Sequence, residues 1–155
     1  MPTVGQGYGL NITVKIFNYG ITAEILNLTI YVNMTVVFTI TDTALPFRNS
    51  TTLTTEWNIT GLDYGNCTIT ACCDPVPGEN NTADNTCCSW IIITIPGDLN
   101  GDYTVDIYDA IRLAGALNSG SGVLNWNPNA DINNDYIVDI YDAILLANHY
   151  NQHYP

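Results

Sequence analysis

One stretch of this chain occurs twice. Asp98-Leu-Asn100-Gly-Asp102-Tyr-Thr-Val-Asp106-Ile-Tyr-Asp109-Ala-Ile returns 33 residues later as Asp131-Ile-Asn133-Asn-Asp135-Tyr-Ile-Val-Asp139-Ile-Tyr-Asp142-Ala-Ile. Two copies of one structural unit follow from that register. Within each copy, oxygen-bearing side chains stand at relative positions 1, 3, 5, 9 and 12, the spacing by which a tight loop turns ligands inward around a hard cation. With no Cys or His nearby, zinc and copper are disfavoured; the number and looseness of the oxygens favour calcium over magnesium. The expected ligands of the first ion are Asp98, Asn100, Asp102, the carbonyl of Thr104, Asp106 directly or through water, and Asp109. Those of the second are Asp131, Asn133, Asp135, the carbonyl of Ile137, Asp139 and Asp142. The competing reading is two acidic turns that only cap helices.

After position 9 the period changes to helical. Ile107, Ala110, Ile111, Ala114 and Leu117 recur at i, i+3, i+4 and i+7, and Ile140, Ala143, Ile144 and Ala147 repeat them, so each half reads as a loop followed by a helix. No helix is expected before either loop: residues 90–96 read as a strand and 118–130 as a turn-rich linker. A calcium loop followed by one helix, present twice, resembles a type I dockerin over about residues 97–150. Asp109 and Asp142 at the twelfth position, in place of Glu, fit that family better than calcium-sensor EF-hands. Position 6, normally Gly for a left-handed turn, is Tyr103 and Tyr136. Either the turn is reshaped around Gly101 and Asn134, or one site is weakened. The resemblance implies a docking module with two Ca²⁺ ions, an exposed helical face, and a β-sandwich partner such as a cohesin. Its recognition positions fall on Ile107, Tyr108, Ile140 and Tyr141. Ile107 and Ile140 also begin the apolar stripe, so core and contact are both open for them; the two Tyr lie off it.

Composition divides at Ile95-Pro96-Gly97. Residues 1–96 are rich in Thr, Ile, Val and Asn and carry all five Cys; residues 97–155 hold eight of the fifteen acids and no Cys. The predicted domains are therefore 1–96 and 97–155. The first part alternates with period two: Ile12, Val14 and Ile16; Leu26, Leu28, Ile30 and Val32; Met34, Val36, Phe38 and Ile40. Further strands are read at 51–59, 66–73 and 87–95, which together predict a small antiparallel sandwich. The order of these segments, with their turns, resembles the adhesion-related, CARDB-type immunoglobulin-like domains of microbial, in particular archaeal, surface proteins. The fold expected for the chain is a mainly β immunoglobulin-like sandwich followed by a small α-helical, dockerin-like pair of loop-helix units.

Seven Asn-x-Ser/Thr triplets begin at Asn11, Asn27, Asn33, Asn49, Asn58, Asn66 and Asn80, from only ten Asn in residues 1–96, and none occurs after residue 96. That excess points to an N-glycosylated sandwich beside a bare calcium module, although Thr-rich strands also generate such triplets unaided. Cys72, Cys73, Cys87 and Cys88 flank a turn-rich loop. A hairpin folded about position 80 would oppose Cys72 to Cys88 and Cys73 to Cys87, which predicts two cross-strand disulfides; vicinal bonding and thiol-metal binding are the rivals. Cys67 is left as a buried free thiol. Disulfides, sequons and calcium all point to an extracellular or cell-surface location. Met1–Leu10 lacks the basic and apolar blocks of a signal peptide, so a secreted form would have lost its leader.

Three basic residues, Lys15, Arg48 and Arg112, against fifteen acids give a formal charge of −12, a poor match for nucleic acid or anionic membrane. Two Ca²⁺ would bring it to −8. No membrane-spanning run is present. His149 and His153 lie at the C-terminus, no Ser, Thr or Cys sits in a nucleophile motif, and Glu24, Glu56 and Glu79 are scattered, so no enzyme active site is expected. Asp74, Glu79 and Asp84 read as a solvated acidic loop. Two functional classes stand. One is a structural subunit that self-associates head to tail into a filament or surface layer, with Trp90 and Ile92 on the outward parity of the last strand as further contacts. The other is an adaptor docking a separate cohesin in a scaffolded, polysaccharide-processing complex.

Overall fold

Branched apolar side chains at every second position pack well on a pleated, half-buried surface, and the alternating segments do become strands. The computed structural model describes residues 1–155. In chain order the elements are β1 (Thr3–Gly5), β2 (Gly9–Phe17), β3 (Glu24–Val32), β4 (Thr35–Leu45), β5 (Ser50–Asn58), β6 (Gly65–Cys73), a 3-10 turn (Ala83–Asn85), β7 (Thr86–Thr94), α1 (Ile107–Ala116), β8 (Ser119–Gly120), β9 (Ile137–Val138) and α2 (Ile140–His149). The strands form a sheet in the order β1-β7-β6-β3-β4, a pair β2-β5, and a short pair β8-β9. The architecture is the expected one, mainly β with a small helical C-terminal region.

Packing divides the chain into two compact units: Asn11–Glu56 with Cys67–Ser89, and Met1–Leu10 with Trp57–Asn66 and Trp90–Pro155. In the first, β3 shows the cleanest alternation, with Leu26, Leu28, Ile30 and Val32 buried. β3 pairs antiparallel with β4 and with β6, Leu28 facing Ile40 on one side and Cys73 on the other. Two bulges interrupt the β3–β4 ladder, and Asp42 takes a positive φ of 55° at one of them. Its N–H donates to Asn27 Oδ1, and Asn27 Nδ2 donates to Asp74 Oδ2. Leu45, Cys67, Ile69 and Ala71 complete the core of this unit. Cys67 is buried and free as expected, and burial raises its thiol pKa.

In the hairpin of β6 and β7 two of the thiols meet hydroxyls: Thr70 Oγ1 lies 3.4 Å from Cys88 Sγ, and Thr86 Oγ1 donates to Cys72 Sγ at 3.4 Å. The four are free thiols in the structure, and the predicted cross-strand bridges are not formed.

The second unit begins with a strand that alternation did not announce. β1 pairs parallel with β7, Thr3 with Ile92 and Gly5 with Thr94, where an all-antiparallel arrangement was expected. Beyond β7 the chain turns at Gly97, whose φ is 96° and whose absent Cβ would stand 2.9 Å from Leu146 Cα in α2; no larger residue fits there. The core gathers Ile95, Leu99, Val105, Leu113, Ala116, Ala130, Ile132, Val138 and Leu146.

Candidate cation loops and an exposed helical face

The two loops are built alike from the same hydrogen bonds. Asp109 Oδ1 accepts the N–H groups of Leu99 at 2.8 Å and Asn100 at 3.2 Å, and its Oδ2 accepts that of Asp106 at 2.9 Å. Asp142 does the same with Ile132, Asn133 and Asp139 at 2.8, 3.3 and 2.9 Å. Both carboxylates are fully buried. Asp106 and Asp139 are the N-caps of α1 and α2; each accepts a backbone N–H two residues on, and the Asp at N3 reaches back to close a capping box. One carboxylate therefore folds its loop and starts its helix at once. Asp98 Oδ1 accepts from Gly101 and Asp102, and its Oδ2 from Tyr103. Asp131 accepts from Asp135 and Tyr136. Asn100 and Asn133 each donate to the Asp two residues on, at 2.8 Å.

Position 6 keeps its left-handed turn with Tyr in place: φ is 66° at Tyr103 and 69° at Tyr136. Gly101 and Asn134 are left-handed as well, at 78° and 61°. The turn is thus not moved off the Tyr but shared with the earlier residue, and each Tyr carries a backbone cost of about 1–2 kcal/mol.

Burial raises the Asp109 carboxyl above its ordinary value; the amides of Asp106, Leu99 and Asn100 oppose the shift and the Asp98 charge adds to it. Asp131 is likewise raised by burial, against the amides of Tyr136 and Asp135 and with the charges of Asp142 and Asp135. Both effects describe carboxylates crowded into a desolvated loop. The donor set is oxygen only, which fits a hard divalent cation. In the structure the carboxylates face backbone amides, and no three His, Cys, Asp or Glu side chains converge as a metal cluster.

The loops are closed from outside by the opposite copy. Asn118, left-handed just past α1, donates its N–H to Val138 of the second loop, and Asn151, left-handed past α2, donates to Val105 of the first, both at 2.8 Å. Ser119 pairs with Val138 and Gly120 with Ile137; Thr104 pairs with His153. Tyr154 then packs edge-on against Tyr64, ring centroids 4.6 Å apart.

The face that the helices bury is not the one headed by Ile107 and Ile140. The buried residues are Asp109, Leu113 and Ala116 in α1, and Asp142 and Leu146 in α2. Ile107 is 54% exposed, Tyr108 65%, Ile140 62% and Tyr141 64%, with Ile111 and Ile144 exposed beside them. Of the two readings left open for Ile107 and Ile140, the exposure excludes the core one: each heads an unburied apolar face. The reason is that the inner face of each helix starts with the Asp that holds the loop, which periodicity counts as polar. Between the helices runs an apolar groove of about 670 Å³ along Ala110, Leu113, Ala114, Ala143, Leu146 and Ala147.

Other expected positions fall as follows. Trp90 is exposed, but Ile92 is half-buried, because Gly101 of the first loop closes over it: a Cβ on that glycine would stand 2.8 Å from Ile92 Cδ1. Asn33, Asn49, Asn58, Asn66 and Asn80 are exposed; Asn11 and Asn27 are half-buried. No helix is long and apolar enough to cross a membrane.

Residues 96–151 match the family model of the dockerin type I domain. Among solved structures, the chain is similar to the CARDB domain of a Pyrococcus furiosus protein, solved in complex with di-metal ions, at 23% identity over 59% of this chain and 80% of that one, with a TM-score of 0.53. A domain of a protein named as a cell surface protein from Methanosarcina acetivorans is similar at 29% identity over 59% and 82% of the two chains, TM-score 0.49. A type II cohesin-dockerin domain from Bacteroides cellolosolvens is similar at 33% identity over 37% and 87%, TM-score 0.33. No match is found among curated proteins. Dockerin domains are protein-interaction modules, and dockerin type I domains typically bind calcium. The C-terminal third of this chain is matched by the dockerin type I family, and its β-rich part has the fold of a CARDB domain.

Proposed function

We propose that the chain is a non-enzymatic, calcium-organised docking protein of the extracellular or cell-surface space, divided functionally into a sandwich, residues 1–96, and a docking module, residues 97–155. The carrying observation is the pair of exposed, nearly identical apolar helical faces headed by Ile107-Tyr108 and Ile140-Tyr141. A folded chain with so few charges on that surface gains by covering it with a partner. The partner proposed is a β-sandwich face, and the likeness of the two halves allows two docking orientations related by a half turn. Asp98, Asn100, Asp102, Thr104, Asp106 and Asp109 would hold one Ca²⁺; Asp131, Asn133, Asp135, Ile137, Asp139 and Asp142 the other. Bound cations would neutralise loop carboxylates that burial already penalises.

The first form of this reading is self-assembly, because one chain carries both a docking face and a sandwich, and a head-to-tail contact propagates. The second is an adaptor for a separate cohesin, which the dockerin family match supports. The exposed sequons are compatible with N-glycans on the sandwich. Sedimentation of the purified chain with calcium and with chelator separates the two forms. Concentration-dependent growth with calcium supports self-assembly; a monomer that captures an added cohesin supports the adaptor. Loss of neither state on Tyr108→Ala with Tyr141→Ala would overturn the assignment of the face. An unchanged melting temperature on chelation would overturn the calcium reading.

A further inference from the structure

The two loops differ in one respect that the repeat does not foresee. Asp98, the first residue of the first loop, is 2% exposed and receives a hydrogen bond from outside the loop: the hydroxyl of Thr94 donates to Asp98 Oδ2. Thr94 is the last residue of β7, fully buried, and lies before the dockerin match begins at residue 96. Asp98 Oδ2 is thus held by two donors, Thr94 Oγ1 and the Tyr103 N–H, while Oδ1 meets the loop amides of Gly101 and Asp102. The second loop has no counterpart. Asp131 is half-buried and accepts only from Asp135 and Tyr136 of its own loop. The residue four places before it is Asn127, whose Oδ1 accepts from the Asn129 N–H. β7 also braces the first loop through Ile92, which Gly101 covers.

We propose that Thr94 is a positioning residue for the first cation loop, supplied by the sheet, so that the two repeats bind calcium unequally and the first fills before the second. This inference rests on the calcium reading of the loops. A hydroxyl held on one oxygen of the carboxylate fixes its rotamer before an ion arrives, as outer partners of metal ligands generally do. Ordering that side chain and its loop is then already done in the first repeat and must accompany binding in the second.

The test is calorimetric titration of the chelated full chain with CaCl₂, for the natural sequence, Thr94→Val and Thr94→Ser. Thr94→Val keeps the volume and removes the donor; one of the two binding events should weaken about 10–100-fold while the other holds, with an unchanged far-UV spectrum. Thr94→Ser should restore the stronger event. Equal affinities for both loops in Thr94→Val and the natural sequence would overturn the role of Thr94. A second measurement needs no variant: in a stepwise titration followed by amide resonances, Gly101 and Tyr103 should shift at lower calcium than Asn134 and Tyr136, and the reverse order would overturn the inference. Absence of any binding by the natural sequence would overturn the calcium reading beneath it, and with it this one.

Discussion

Replacing Tyr136 by Gly should stabilise the protein, although it removes an aromatic ring. Tyr136 sits at φ 69°, half exposed, with no ring partner, in contrast to Tyr103, whose ring centroid is 6.4 Å from that of Tyr154. The left-handed conformation costs a residue with a Cβ about 1–2 kcal/mol, and glycine is free of that cost. Against this, glycine loosens the unfolded chain and forfeits about 0.4–1 kcal/mol. The balance is about 1 kcal/mol in favour of Gly at the level of the backbone. Because the ring also shields some apolar surface, the clean comparison is Tyr136→Gly with Tyr136→Ala: both lose the ring, only Ala keeps the strain. For a chain of this length about 1 kcal/mol corresponds to about 2–4 °C in Tm. Thermal melting followed by far-UV circular dichroism, at fixed calcium, gives the difference directly. A Gly variant that melts at or below the Ala variant would refute the claim that the second loop stores strain at position 6.

The faces of the helices give a second contrast: Leu113→Ala or Leu146→Ala should cost about 2–5 kcal/mol in urea unfolding, whereas Ile111→Ala or Ile144→Ala should stay within about 0.5 kcal/mol and show their effect in partner binding. Asp109→Ala, which strips the acceptor from three backbone N–H groups, should cost at least about 3 kcal/mol at about 1 kcal/mol or more per orphaned donor, again read by urea unfolding. The Cys73 thiol is pushed up to about 11 by burial first, then by the charges of Cys72, Cys87, Asp74 and Glu79. Since the folded state holds that proton more tightly than the unfolded one, its contribution to stability is complete below about pH 9 and lost as pH rises through about 11. Alkylation near pH 8, followed by peptide mapping, should accordingly modify the exposed Cys87 and Cys88 before Cys73.

Strands β2 to β7 could be read from the sequence within a few residues, because alternation of side chains such as Leu26, Leu28, Ile30 and Val32 reports a one-sided sheet with little ambiguity. The two loops and their helices were readable for a different reason: the repeat fixed their register and their boundaries together. What the sequence hid was direction of burial in α1 and α2. Periodicity finds an apolar face but does not say whether the core or a partner covers it, and the true inner face begins with Asp109 and Asp142, polar residues whose burial depends on backbone amides of the loop just before them. The parallel strand β1 was hidden because three residues are too few to show a period.

Each repeat leaves its own loop unfinished and completes the other's, through Asn118 with Val138 and Asn151 with Val105. A lone copy therefore lacks the strand that seals its eighth position, and truncation after residue 118 should yield no half-sized domain but an unfolded segment. The two halves are obliged to melt together, and any insertion in the 118–130 connector must preserve their reach toward each other or forfeit both.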